Sequence, residues 1–273
     1  MVALDISAAF DTICLSKLID RPRDEFGINS VALSWIESYI SGRSQFVKIG
    51  RHFSTLSHLD FGDPQGSVLG PLLFSVYVSP VGDVIRTTGL KHHQYADDTQ
   101  VYVEVRSGKN CAVGTKKIEE CTLAVQVWFQ LNDLQLNLPK SEVISLGTVA
   151  QRRASTGAAP LVLRAVSCLS WKKINSPGAY IDANLSFDAQ VNTVCRTSNY
   201  HISALRRIRN NLPMDVAKTV ACSIAGSRLD YCNALLYGIS DKNIQRLQLV
   251  QNNLERIVLT LFIYFILFIY VHL

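Results

Sequence analysis

The chain has 273 residues, 48% of them hydrophobic, and a formal net charge of +5. That length supplies a sizeable core for one large domain or a domain with an appendage, and the mild basic excess permits a polyanionic partner without requiring one. Seven cysteines, no two closer than ten positions, form no Cys-x-x-Cys pair and no Cys/His finger, so reduced thiols in an intracellular protein are expected. No signal peptide, internal repeat or low-complexity linker is visible.

In chain order, Met1-Val-Ala-Leu-Asp5 is a short apolar run ending in a carboxylate. It reads as a buried central strand that delivers Asp5 to a surface, although a lone acid there serves equally well as a turn cap. Residues 12–28 predict a helix or turn interrupted by Pro22, because proline lacks the N–H a helix interior needs. Asn29-Ser30 offers an N-cap for a helix over 31–40, in which Val31, Trp35 and Tyr39 recur at helical spacing and are assigned to the core. Gln45-Phe-Val-Lys-Ile49 alternates like a half-buried strand, leaving Arg43, Lys48 and Arg51 to solvent or phosphate. In Pro64-Gln65-Gly66-Ser67, Gly66 lets backbone approach a ligand closely and Ser67 caps a helix predicted over 68–77.

Gln94-Tyr95-Ala96-Asp97-Asp98-Thr99-Gln100 puts two adjacent carboxylates between β-prone flanks, which predicts a tight hairpin with the acids at its tip. Adjacent carboxylates repel, and a divalent cation relieves that charge best. Oxygen-only ligands suit Mg²⁺, which takes one or two carboxylates plus substrate phosphates and so points to phosphoryl transfer. A solvated Asp-Asp turn is the alternative, and the string alone does not decide.

Residues 115–131 read as an amphipathic helix with Ile118, Cys121, Val125 and Trp128 inward, broken at Asn132-Asp133. Lys140 precedes a strand predicted over 142–147, and 150–160, with Arg152 and Arg153, is expected to be an exposed loop. Short strands are expected over 161–182, then helices over 186–210, 213–236 and 240–258, the last with Ile244, Leu247, Val250 and Leu254 on one apolar face. Arg206, Arg207 and Arg209 either follow a phosphate backbone or form a solvated basic face. Residues 257–273 are almost wholly apolar. As a helix they reach roughly 26 Å, short of a ~30 Å hydrocarbon core, and no basic cluster flanks their distal side, which argues against a membrane anchor.

Several stretches in order carry a resemblance. Leu4-Asp5-Ile6-Ser7-Ala8-Ala9-Phe10-Asp11, Gly62-Asp63-Pro64-Gln65-Gly66-Ser67-Val68-Leu69-Gly70-Pro71-Leu72-Leu73-Phe74 and Tyr95-Ala96-Asp97-Asp98 resemble the ordered motifs of reverse transcriptases, specifically those of non-LTR (LINE-type, jockey-like) retrotransposons. Leu33-Ser34-Trp35, Gly42-Arg43-Ser44-Gln45, Leu134-Gln135-Leu136-Asn137 with Lys140-Ser141-Glu142, Asn184-Leu185-Ser186-Phe187 and 227–236 agree, so the likeness runs from about Val2 to Val258.

The resemblance implies an α+β fold: a polymerase palm of antiparallel sheet with packed helices over 1–183, an α-helical thumb over 184–258, and an apolar tail over 259–273 outside the family pattern. With Met1 four residues before Asp5, the fingers subdomain is expected to be missing and activity to be weak. It implies an RNA-directed DNA polymerase using two Mg²⁺ ions, or Mn²⁺ in their place, with RNA template, DNA primer and deoxynucleoside triphosphates as partners, in nucleus or cytoplasm. Asp5, Asp97 and Asp98 are the implied metal-binding acids, joined by the Ile6 carbonyl. Lys140 is the implied proton donor to the leaving pyrophosphate, Phe10 the gate against a 2′-hydroxyl, and Gln65 and Gly66 the contacts to the nascent base pair. Asp63 departs from a small apolar residue of the family, and Pro177 stands where the family tends to have leucine, which leaves strand pairing there open. A catalytically dead remnant that binds nucleic acid, and a membrane-tethered or misfolding fragment, are the competing readings.

Overall fold

The computed structural model describes residues 1–64, 66–105, 111–154, 161–163, 166–168 and 172–259. The chain mixes helix and sheet in two compact units, one formed by Met1–Ser145 with Ala150–Trp171, the other by Leu146–Val149 with the residues from Lys172 on.

The first unit begins with β1 (Val2–Leu4) and β2 (Ile6–Ser7), followed by α1 (Leu15–Phe26), α2 (Ser30–Ile40) and four short strands, β3 (Ser44–Gln45), β4 (Lys48–Ile49), β5 (His52–Phe53) and β6 (Ser57–His58). Next come α3 (Gly70–Val78), α4 (Val81–Thr87), β7 (Lys91–Tyr95), β8 (Asp98–Tyr102), α5 (Cys111–Leu131), β9 (Gln135–Leu136) and β10 (Glu142–Val143). A four-stranded antiparallel sheet has the order β10-β1-β8-β7, so β1 is the interior strand its apolar run predicts. Side chains alternate across it: Val2 and Leu4 are buried with Thr99 and Val101 of β8, while Ala3 and Gln100 lie on the other face. The buried face joins a core with Phe74 and Tyr77 of α3, Ile85 of α4, and Ile118, Cys121, Val125 and Phe129 of α5. Burial of each such side chain is worth about 1.5–3 kcal/mol, which holds the sheet flat against the helices.

Five local expectations fail here. Pro22 does not interrupt α1; the helix runs on to Phe26 and closes on left-handed Gly27, whose N–H reaches the Arg23 carbonyl at 3.1 Å. Burying Pro22 offsets the one helical bond it cannot make. Val31 and Trp35 are exposed, at 84% and 56%, because only the C-terminal end of α2, with Ile36, Tyr39 and Ile40, meets the core. The strands of residues 44–58 pair as a hairpin whose strand residues are all exposed, so the half-buried strand expected at 45–49 is absent. Over 142–147 only Glu142 and Val143 pair in the sheet, and α6 (Val149–Ala154) stands where a loop is expected. Residues 155–160 lie outside the described residues. β11 (Leu161–Leu163) pairs with β12 (Val166–Cys168).

In the second unit β13 (Lys173–Ser176) pairs with β14 (Ala179–Asp182) around a Pro177-Gly178 turn, where the missing proline donor breaks no ladder bond. α7 (Asp188–Ile208) and α10 (Asp241–Leu259) frame a separate core with Val191, Ile202, Leu205, Val250 and Leu254. Ile244, expected on that face, is 47% exposed, because α10 turns it outward near its start. The helix expected over 213–236 is broken into α8 (Met214–Ala221), a π turn (Cys222–Gly226), α9 (Ser227–Asp230) and a 3₁₀ turn (Asn233–Leu236). Cys232 enters the left-handed region there, ending any continuous helix. Among the described residues no helix is long and apolar enough to cross a membrane. The apolar tail from residue 260 on lies outside them.

Candidate active site

Strand register builds the site. Leu4 lies opposite Thr99, so the next step sets Asp5, just past β1, opposite Asp98, on the face away from the core. The β7–β8 turn is Ala96-Asp97, with Tyr95 opposite Asp98 and Ala96 at φ 52°, which leaves both acids at the tip of the hairpin as its sequence predicts. Asp5 and Asp97 line one cleft of about 480 Å³ together with Ile6, Phe10, Asn137 and Lys140. Burial, then the neighbouring charges of Asp97 and Asp5, push the Asp98 carboxyl above the usual carboxylate range. Acids distant in sequence therefore share one electrostatic environment. No described lysine or arginine forms a salt bridge with any of the three.

Among the described residues no group of three or more His, Cys, Asp or Glu side chains is arranged to hold an ion by itself. A hard divalent cation does not demand such a cage: Mg²⁺ takes one or two carboxylates and completes its shell with water and substrate phosphate. The all-oxygen donors Asp5 and Asp97 on one cleft fit that mode. The Asn137 N–H donates to the Asp5 carbonyl at 2.8 Å, making these a bonded pair of the antiparallel β2–β9 ladder, in which Ile6 lies opposite Leu136. Alternation along the strand then points the Ile6 carbonyl away from β9.

Phe10 lines the cleft with its ring braced against Phe74, centroids 4.6 Å apart. Its backbone is pinned too: Ala8 takes φ 47°, the Asp11 N–H closes a turn on the Ala8 carbonyl at 2.9 Å, and the Phe10 carbonyl accepts the Asp63 N–H at 2.8 Å. Gly62 passes so close that a Cβ there would stand 3.2 Å from the Asp11 carbonyl, at φ +87°. The segment leading to the Pro64–Ser67 turn is thus laced to the cleft, and the Ser67 hydroxyl accepts the Gly70 N–H at 2.9 Å; α3 begins at Gly70 rather than 68, with Leu69 and not Ser67 at its N-cap position. Gly66, at φ +78°, is exposed with open space around it and is not among the cleft-lining residues. Gln65 lies outside the described residues. Asp63 is 5% exposed with neither carboxylate oxygen hydrogen-bonded, and burial pushes its carboxyl up, partly opposed by Arg43. Arg209, one of the expected phosphate ligands, instead donates to the carbonyls of Val258 and Leu212, each at 2.9 Å.

Two residues of the site had no role assigned from sequence. Asn137 lines the cleft, and the buried Ser141 hydroxyl accepts the Asp5 N–H at 3.2 Å. Both sit in the stretch around Lys140 that resembles the family, which was the only signal for them.

The profile of the reverse transcriptase (RNA-dependent DNA polymerase) family matches residues 1–180, and the chain belongs to that family. It is 27% identical over 263 residues to the RNA-directed DNA polymerase from mobile element jockey of Drosophila melanogaster, an alignment covering 91% of this chain and 27% of that protein. It is also 24% identical over 270 residues to the probable RNA-directed DNA polymerase from transposon BS of the same fly, covering 93% of this chain and 28% of the relative. The jockey polymerase of Drosophila funebris is 26% identical over 264 residues, covering 93% and 27%. The chain therefore spans little more than a quarter of the length of these curated relatives.

Proposed function

We propose that this chain is an RNA-directed DNA polymerase domain of a non-LTR retrotransposon, with residues 1–183 acting as palm and 184–258 as thumb. One observation carries the reading: Asp5 and Asp97, remote in sequence, line a single cleft with Lys140, beside an Asp98 whose carboxyl is pushed up by burial and then by both acids. Asp5, Asp97 and Asp98, with the Ile6 carbonyl, would hold two Mg²⁺ ions, Mn²⁺ serving in their place. Bound there, the ions supply activation of the primer 3′-hydroxyl and neutralisation of the triphosphate. Lys140 supplies positive charge and a proton to the leaving pyrophosphate. Phe10, braced by Phe74, closes the space a 2′-hydroxyl would occupy and so selects deoxynucleotides. By the family resemblance, Gln65 and Gly66 would contact the nascent base pair of RNA template and incoming nucleotide.

Primer extension on an RNA template with Mg²⁺ or Mn²⁺ tests the reading: the extension observed must vanish in both Asp97→Asn and Asp5→Asn. Extension that survives either change overturns it. The second reading is nucleic-acid binding without turnover. Salt-sensitive RNA binding unchanged by Asp5→Ala, with no extension by the unsubstituted chain, selects that reading.

A further inference from the structure

At Asp5, both backbone polar groups end on the turn that carries Lys140. The Asp5 carbonyl accepts the Asn137 N–H at 2.8 Å, and the Asp5 N–H donates to the Ser141 hydroxyl at 3.2 Å. That hydroxyl donates in turn to the Asn137 carbonyl at 2.9 Å, the same oxygen that accepts the N–H of Lys140 at 3.1 Å and of Ser141 at 3.0 Å. Ser141 is 5% exposed, so water does not substitute for it. Lys140 itself is exposed and lines the cleft.

We propose that Ser141 is a positioning residue: its buried hydroxyl locks the Lys140 turn to the strand end bearing Asp5, so that lysine and aspartate address one bound nucleoside triphosphate together. The claim deepens the polymerase reading and rests on it for the identity of the ligand. The physical reason is the number of attachments. Two hydrogen bonds at different atoms of Asp5 fix the orientation of the turn, whereas the Asn137 bond alone is a pivot. With Ser141→Ala the Asp5 N–H loses its acceptor and the Asn137 carbonyl loses a donor, while the side chains of Asp5 and Lys140 are untouched. A hydroxyl that merely stabilises the fold would weaken every property of the unit alike; a positioning hydroxyl couples to Lys140 specifically.

The full chain is compared as the unsubstituted protein, Ser141→Ala, Ser141→Thr, Lys140→Ala, and Ser141→Ala combined with Lys140→Ala. Affinity for Mn²⁺-dTTP is read by water-proton relaxation. Ser141→Ala is expected to weaken binding about tenfold, Ser141→Thr to stay within about twofold, and Ser141→Ala to cost less than about threefold once Lys140 is alanine. Equal loss with and without Lys140, or no loss, overturns the proposal. Amide exchange gives a second measurement that needs no ligand: Ser141→Ala should speed exchange at Asp5 and Lys140 together by about tenfold, with the rest of the unit unchanged. Faster exchange at Asp5 alone, or spread across the unit, overturns it. If the unsubstituted chain does not bind Mn²⁺-dTTP, the polymerase reading fails and the exchange experiment alone decides the role of Ser141.

Discussion

Asp98 in the first unit stands among acids, whereas Asp182 in the second stands among donors. Asp98 has Asp97 and Asp5 as charged neighbours and is pushed above the usual carboxylate range by burial and by them. Asp182 accepts the N–H of Asn184 at 3.1 Å, the N–H and hydroxyl of Ser186 at 3.0 and 3.2 Å, and the N–H of Phe187 at 2.5 Å. Just beyond, the Asn243 amide donates to Asp188 at 2.7 Å and holds its carboxyl below the usual range. In the second unit Asp182 and Asp188 accept bonds that close the loop into α7 and tie its start to Asn243. In the first, no described lysine or arginine forms a salt bridge with Asp5, Asp97 or Asp98, and that cost is tolerated where lone pairs are reserved for something outside the chain.

Acid deletion sharpens the contrast, because its sign should differ between the units. The largest effect is expected for Asp182→Ala, which orphans several donors at once and should lower stability by about 2–3 kcal/mol in urea unfolding. An unchanged midpoint would remove the structural half of the comparison. Next is Gly178→Ala: the residue has φ +74° and its Cβ would meet the Tyr231 hydroxyl at 2.5 Å, so a loss of about 2 kcal/mol is expected. Tyr231 donates to the Pro177 carbonyl at 3.0 Å, so adding Tyr231→Ala should relieve the clash without restoring full stability.

Asp63→Val should act in the opposite direction, gaining about 1 kcal/mol at neutral pH by removing two buried oxygens without partners. Its pH dependence carries the sign. The folded-state pKa of Asp63 is raised, so the folded chain holds this proton more tightly than the unfolded one. Its contribution is complete below the unfolded pKa and is lost as pH rises through the folded value. Asp63→Val should flatten that fall in a plot of unfolding free energy against pH. Asp188 should behave in reverse: its folded pKa is lowered, so its contribution is present above the unfolded pKa and lost as pH falls through the folded one. The smallest effect is expected for Asp98→Asn, a gain of a few tenths of a kcal/mol, because the carboxylate is only partly desolvated and solvent screens the repulsion. A loss of stability there would show that the acid cluster serves the fold.

Much of the site was legible because its signals are local. The Tyr95–Asp98 tip and the inward face of α5 both follow from spacing within a few residues. Val31 and Trp35 misled because helical spacing names a shared face but not which end of the helix is covered. Residues 45–49 alternate, yet among the described residues no layer covers the hairpin of residues 44–58. Pro22 and Pro177 looked like breaks, but one is buried within a helix and the other occupies a turn that needs no donor. Ser141 gave no sign of its role, since a serine reports its partner only after the chain folds back on Asp5.

By itself the sequence determined the element types along most of the chain, the order of the acidic motifs and the family to which they belong, because these depend on neighbours a few residues apart. Only the tertiary structure decided that Asp5 faces Asp98, that Asp97 and Lys140 open onto the same cleft, and that Ser141 ties two of these parts together. Those relations hang on the register of β1 against β8 and of β2 against β9. A slip of one residue would turn every side chain to the other face, and no local pattern records which register the folded chain takes.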